Sequence, residues 1–405
     1  MKKKKIKIKE IAGGVTAPLG FLTSGVHCGL RRSKYDIALI YSKEKCLAVG
    51  GFTKNLLQAA PLIISRKHIK GPIKAVIVNS GNANAATGKK GLADARTMCR
   101  LTAQNLNIKT ENVLVFSTGV IGKFMDMAKI SKGIKMLIPV LNTSSEEAAE
   151  AILTTDRVKK QVVTEFKIKN KKVRIGGMAK GSGMIAPNMA TMLAFICSDV
   201  NIKKSLLNKL FQHALERSFN LISIDGEMST NDACVFMTNK KAGNDEINEK
   251  TADSIKIFYA NLLYVMQKLA RMIVSDGEGV TKLIEIKVIN CKTKKKARAI
   301  ASRIANSPLV KTAIYGGDAN WGRVASSIGA SGEKVNMEKC IIKFGNYLMY
   351  RNNAPVKFSE EKLAAYLKNK KIQILVDLQE GKEAISFFTG DLTEEYIRIN
   401  AHYRS

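Results

Sequence analysis

A threonine stands at the end of a glycine-rich turn in this chain. Lys180-Gly181-Ser182-Gly183-Met184-Ile185-Ala186-Pro187-Asn188-Met189-Ala190-Thr191 runs straight into the apolar stretch Met192-Leu193-Ala194-Phe195-Ile196-Cys197. Gly181, Gly183 and Pro187 suit a tight turn, and the residue before the threonine, Ala190, is small. This order of residues could support self-cleavage. Thr191 Oγ would attack the Ala190 carbonyl carbon, the Thr191 nitrogen would leave, and water would hydrolyse the resulting ester. The freed α-amine of Thr191 would then act as general base for its own hydroxyl. The local pattern alone favours a simpler reading, a glycine-rich connection into a buried strand.

A second candidate is Thr118-Gly119, which follows a predicted strand over 113–116. A hydroxyl and a backbone N–H at that place could both face a cleft. Without other information it reads as an ordinary hydroxyl turn. Gly81 to Gly88 lacks the G-x-G-x-x-G order and any Gly-Lys-Ser/Thr ending, so its Asn and Gly residues are assigned to turns and packing and not to a phosphate site. The cysteines at 28, 46, 99, 197, 234, 291 and 340 form no C-x-x-C pair, and His27, His68, His213 and His402 show no metal-ligand spacing. Reduced thiols and no metal are expected.

The elements that would carry these residues alternate between strand and helix. Strands are predicted over 75–78, 113–116, 221–224, 233–237, 283–288 and 372–378. A hairpin over 162–175 leads into the glycine-rich turn. Helices are predicted over 92–106, 201–219, 252–274 and 294–305 from their apolar spacing. The hairpin argues against a purely parallel sheet, giving a mixed α/β (α+β) class. At 405 residues two lobes or fragments are expected.

The formal charge of +32 comes from 66 Lys and Arg against 34 Asp and Glu. Cations occur in almost every segment, densest at Lys2 to Lys5 and Lys294 to Lys296, and no aromatic–basic ladder accompanies them. A lysine-rich surface is therefore expected rather than a nucleic-acid partner. The basic start has no apolar stretch behind it, and no run approaches a membrane span. These features point to a cytoplasmic protein without a membrane partner.

The order of motifs resembles the ornithine acetyltransferase family, the bifunctional glutamate N-acetyltransferases of arginine biosynthesis. The resemblance rests on Gly13-Gly14-Val15-Thr16-Ala17-Pro18, Asn79-Ser80-Gly81-Asn82-Ala83-Asn84-Ala85, Ser117-Thr118-Gly119-Val120-Ile121-Gly122 and the segment ending at Thr191. It continues in Asp276-Gly277-Glu278-Gly279, Asp318-Ala319-Asn320-Trp321-Gly322-Arg323 and the tail Arg398-Ile399-Asn400-Ala401-His402-Tyr403-Arg404-Ser405. It implies an α-β-β-α layered sandwich, cut between Ala190 and Thr191 into fragments 1–190 and 191–405 that form one catalytic unit. It implies Thr191 as nucleophile and Thr118 with Gly119 as oxyanion hole. Thr154 (or its neighbour Thr155), Lys180, Thr191, Glu278, Asn400 and Ser405 become substrate contacts. The implied reaction moves acetyl from N2-acetyl-L-ornithine to L-glutamate, with acetyl-CoA as a further donor in some members and no cofactor. The implied assembly is a heterotetramer of two alpha and two beta fragments. Ala319 stands where the family carries proline, and Phe388-Thr389-Gly390-Asp391 and Gly51-Phe52-Thr53-Lys54-Asn55 also depart from its pattern. A related alternative is a self-cleaving aminopeptidase, which would deliver the acyl group to water. A basic nucleic-acid-binding protein is the remote one.

Overall fold

The computed structural model describes residues 6–186 and 192–402. Its larger sheet has nine strands, and the strand Ile37–Phe52 joins its two halves. The first part of that strand pairs with Phe21–Val26 and Ile73–Asn82; its last part, from Leu47, pairs with Ala233–Thr238. Between them the register shifts and Lys43, Glu44 and Lys45 are exposed. The chain thereby crosses from one half of the sheet to the other.

The two halves face each other. Because side chains alternate along a strand, each half presents one face inward. Ala38, Ile40, Val76, Val78, Leu114 and Phe116 of one half meet Met178, Leu193, Phe195, Cys197, Val235 and Met237 of the other. Phe116 and Phe195 close this layer edge to face, ring centres 5.3 Å apart. The alternate residues point outward. Leu39, Ile77 and Val115 pack under helices Gly88–Leu106 and Met127–Leu137. Ile175, Ile196 and Phe236 pack under Lys204–Glu216 and Ala252–Ser275. The result is the helix–sheet–sheet–helix order that the resemblance implied. The central core draws residues from both sides of position 190, so neither stretch could build it alone.

A second, six-stranded sheet lies wholly beyond residue 282. Strand Leu283–Cys291 runs parallel to Lys371–Asp377 and antiparallel to Glu383–Gly390. Helix Lys294–Ala305 covers it, starting where predicted because the Thr293 hydroxyl accepts from the Lys296 N–H.

The predicted strand over 221–224 is not formed. Phe219–Leu221 is a short 3-10 turn, and Ile222 makes only an isolated bridge to Phe388. Its apolar residues serve as a seam between the two lobes, where continuous burial mimics a strand in sequence. The predicted helix over 201–219 is shorter, Lys204–Glu216.

Candidate active site

Strands Ile73–Asn82 and Val113–Val120 run parallel and set Ser117-Thr118-Gly119 beside Asn79-Ser80-Gly81. Thr118 thus lies inside a strand that outruns the predicted one. Gly119 has φ +131°, and a Cβ there would fall 2.4 Å from the Gly81 carbonyl carbon. Only glycine allows this approach. Asn231 ties the place together from another loop: its Nδ2 donates to Ser117 O at 2.8 Å and Ala83 O at 2.6 Å.

Lys180 ends strand Lys171–Lys180 and is 3% exposed. Its Nζ donates to Thr154 Oγ1 at 2.6 Å and to Thr118 Oγ1 at 3.3 Å. Thr154 therefore makes the lysine contact; Thr155 lines the same cavity. Lys180 also lies 3.8 Å from Asp156, which bonds more closely to Lys160 at 2.7 Å and accepts from the Gly181 N–H at 2.7 Å. Lys160 in turn reaches Asp276 at 2.6 Å. Burial alone would raise the Asp156 carboxyl, but the charges of Lys180 and Lys160 win and hold it at about 2. Burial pushes the Lys180 ammonium down, and Asp156 only partly restores it. Asp156 is shared between the two lysines: Lys160 holds it more closely, and the two cations repel.

The glycine-rich turn is sewn to the segment 276–278. Ser182 Oγ donates to Asp276 O at 2.8 Å, and the Glu278 N–H donates to Ser182 O at 2.8 Å. A Cβ on Gly183 would fall 2.4 Å from Glu278 Oε2, so the glycine makes room for the carboxylate. Asn400, on the terminal helix Glu394–His402, donates to Glu278 Oε2 at 2.9 Å.

Thr118, Gly119, Thr154, Lys180, Gly183, Glu278 and Asn400 line one cavity of about 60 Å³. Larger clefts of about 730 and 660 Å³ lie elsewhere and contain none of these residues. The smaller cavity is the candidate because hydroxyls, an ammonium and a carboxylate converge there; volume alone does not identify a site. Ala190, Thr191 and Ser405 fall outside the described residues. Lys180 pairs in register with Leu193, so the connection containing Ala190 and Thr191 begins and ends at this cavity's strand edge. Sequence reasoning missed Asp156, Lys160 and Asn231. Only the polar run Ser229-Thr230-Asn231-Asp232 before an apolar strand signalled any of them.

Among the described residues no group of three or more His, Cys, Asp and Glu is placed to hold a metal, and no helix is long and apolar enough to cross a membrane.

The family model described as the ArgJ family matches residues 22–405. The arginine biosynthesis bifunctional protein ArgJ of Bacillus licheniformis is 45% identical over 400 residues, covering 98% of each chain. The protein of the same name from Bacillus subtilis is 45% identical over 401 residues, again covering 98% of each. A solved structure of Mycobacterium tuberculosis ornithine acetyltransferase with ornithine is 36% identical and covers 45% of this chain and 98% of its own, with a TM-score of 0.42. A match that spans nearly the whole sequence at this identity leaves one conclusion: the chain belongs to the ArgJ family.

Proposed function

We propose that the chain is an ornithine acetyltransferase that transfers acetyl from N2-acetyl-L-ornithine to L-glutamate through an ester on Thr191. The observation that carries this reading is the convergence of Thr118, Lys180, Thr154 and Glu278 at the strand edge where the connection holding Thr191 closes. Family membership and the arginine-biosynthesis names of its relatives support it.

The chain first cuts itself between Ala190 and Thr191, leaving fragments 1–190 and 191–405. The α-amine of Thr191 then takes the proton of its own hydroxyl as Oγ attacks the acetyl carbonyl. Thr118 Oγ1 and the Gly119 N–H stabilise the oxyanion; each such donor is worth about 10²–10³ in rate. The C–N bond breaks, ornithine leaves with the proton, and acetyl remains on Thr191. The glutamate amine attacks that ester, and the hydroxyl is regenerated. Lys180 meets the substrate carboxylate by a charge-assisted hydrogen bond, and Glu278 meets the cationic side chain of ornithine. Asn400 holds Glu278 in place, and Ser405 is the further substrate contact that the family resemblance implies. The reading extends to acetyl-CoA as a second donor, and to a cytoplasmic assembly of two N-terminal and two C-terminal fragments.

The test follows a labelled acetyl group. With donor alone it should accumulate on the fragment beginning at Thr191, and with glutamate it should appear on the glutamate nitrogen. Double-reciprocal plots at several glutamate concentrations should be parallel. Thr191→Ala should stay one chain and be inactive. Release of the label only to water would favour an aminopeptidase-like hydrolase. Intersecting plots with no trapped fragment would replace the ester by direct transfer.

A further inference from the structure

Two aspartates, the half-buried Asp225 and the fully buried Asp232, neither of which lines the cavity, hold the backbone on opposite sides of the Ala190–Thr191 bond. Upstream, Asp225 accepts from the Met184 N–H at 2.6 Å and from the Ile185 N–H at 2.8 Å, one on each carboxylate oxygen. Ser223 Oγ and the Ile224 N–H both donate to Ile185 O, at 3.0 and 2.8 Å. Downstream, Asp232 Oδ1 accepts from the Met192 N–H at 3.0 Å, and the Ala233 N–H donates to Met192 O at 3.0 Å. Residues 223–233 therefore grip Met184 and Ile185 with one end and Met192 with the other.

Both grips are rigidly founded. Asp232 is fully buried and opens strand Ala233–Thr238, which lies parallel to Leu193–Ser198. Its backbone carbonyl accepts from the Thr53 N–H at 3.0 Å. Its Oδ2 is buried with no hydrogen-bond partner among the described residues. Asp225 is flanked by Lys311, whose Nζ donates to Ile224 O, and by the Tyr396 hydroxyl at 3.4 Å. Burial raises both carboxyls above their ordinary values, against the pull of the N–H groups they hold.

Covalent geometry gives these grips a target. The Met192 nitrogen is three bonds from the Thr191 nitrogen, which must leave when the ester forms, so the two lie on the order of 3–4 Å apart. Attack by a hydroxyl on the preceding carbonyl depends on a narrow range of approach, and fixing both flanks supplies that orientation before the reaction begins. We propose that Asp225 and Asp232 are positioning residues for self-cleavage, clamping the backbone upstream and downstream of the Ala190–Thr191 bond. This rests on the reading that the chain cuts itself there.

The two grips differ after the cut. Asp225 then lies in the C-terminal fragment and holds N–H groups of the N-terminal one, so it matters chiefly to the precursor. Asp232 and Met192 remain in one fragment, so that contact continues to orient the residue next to the nucleophile. Loss of Asp225 should therefore slow cleavage and leave turnover by the cleaved enzyme nearly unchanged. Loss of Asp232 should slow both.

The experiment follows conversion of full-length chain to fragments 1–190 and 191–405 by intact mass, in the complete protein, for wild type, Asp225→Ala, Asp225→Asn, Asp232→Ala and Asp232→Asn. Circular dichroism measures the folded fraction of each precursor. The alanine variants should cut at least about tenfold more slowly at unchanged folded fraction. Asp232→Asn keeps an acceptor for Met192 and should return to within a few-fold of wild type. Asp225→Asn keeps one acceptor of two and should fall between wild type and alanine. The cleaved fraction of Asp225→Asn should show wild-type kcat and KM for acetyl transfer. If the alanine variants do not fold, the asparagine pair decides by the same ranking. Wild-type cutting rates in the folded variants would overturn the clamp, as would slowing fully matched by lost folded precursor. Asp232→Asn as slow as Asp232→Ala would overturn positioning in favour of proton transfer. A wild-type chain that never cuts at Ala190–Thr191 would instead remove the underlying reading.

Discussion

The Lys180 ammonium lies 3.3 Å from the Thr118 hydroxyl, joining the strand before the glycine-rich turn to the strand of the facing half-sheet. The contact spans the inner layer of the sandwich at its polar edge. It gives Thr118 a cationic neighbour, and so a hydroxyl whose proton is free to point toward a substrate oxygen.

Thr118→Ala removes that donor. Acetyl transfer by the cleaved enzyme should fall on the order of 10²-fold in kcat, with a smaller change in KM. Steady-state kinetics with N2-acetyl-L-ornithine checks this, and an unchanged kcat would take Thr118 out of the mechanism.

Lys180→Met should raise the KM for both amino-acid substrates by about ten- to a hundredfold, the usual scale for a charge-assisted hydrogen bond. Lys180→Arg should recover little, because the guanidinium is larger and the site is closed around Thr154 and Asp156. Comparing the KM values of the two variants decides between a binding lysine and a packing one.

Glu278→Gln keeps the side chain's size and its contact with Asn400 while removing the charge. Preference for the ornithine donor over a neutral acetylated amino acid should drop by about tenfold or more. The ratio of kcat/KM for the two donors is the measurement. An unaltered ratio would place recognition of the ornithine side chain elsewhere.

Asp156 should govern acid stability. Its carboxyl is held at about 2 against an ordinary 3.8, so the unfolded chain binds its proton first as pH falls. Its contribution is therefore complete above pH 3.8 and lost as pH drops toward 2. Asp156→Asn leaves Lys160 and Lys180 buried without that countercharge and should cost about 3–5 kcal/mol at neutral pH. Thermal melts from pH 7 to pH 2.5 should show the wild-type advantage shrinking below pH 4.

Much of this was legible in the sequence where one physical signal dominated. The helix Ala252–Ser275 declares itself by apolar spacing, and the hairpin into Lys180 by two β-rich runs around a short turn at Lys169 and Asn170. The strand Ile37–Phe52 was missed because Ser42-Lys43-Glu44-Lys45 interrupts its apolar pattern where the chain changes half-sheet. Thr118, Lys180 and Glu278 could be named from motif order, but their meeting depends on strand register and the crossing of the two halves. Asp156 lies in one polar connection, and Asp225 and Asp232 share another with Glu227; nothing local distinguishes a carboxylate that grips backbone or a buried lysine from a solvated one.

The interleaving of strands has a consequence for refolding. Leu193–Ser198 and Ala233–Thr238 sit between Lys171–Lys180 on one side and Ile37–Phe52 on the other. A cut at Ala190–Thr191 would leave the second fragment's strands flanked on both sides by those of the first. The fragments would not dissociate without breaking two ladders, so the cut enzyme should melt in one cooperative transition. Recovery from denaturant is another matter. The uncut chain can refold at any dilution, whereas the cut pair must find each other, and its yield should fall as concentration falls. Covalent continuity would then be needed once, at birth, and the native state afterwards would be held by the height of its unfolding barrier.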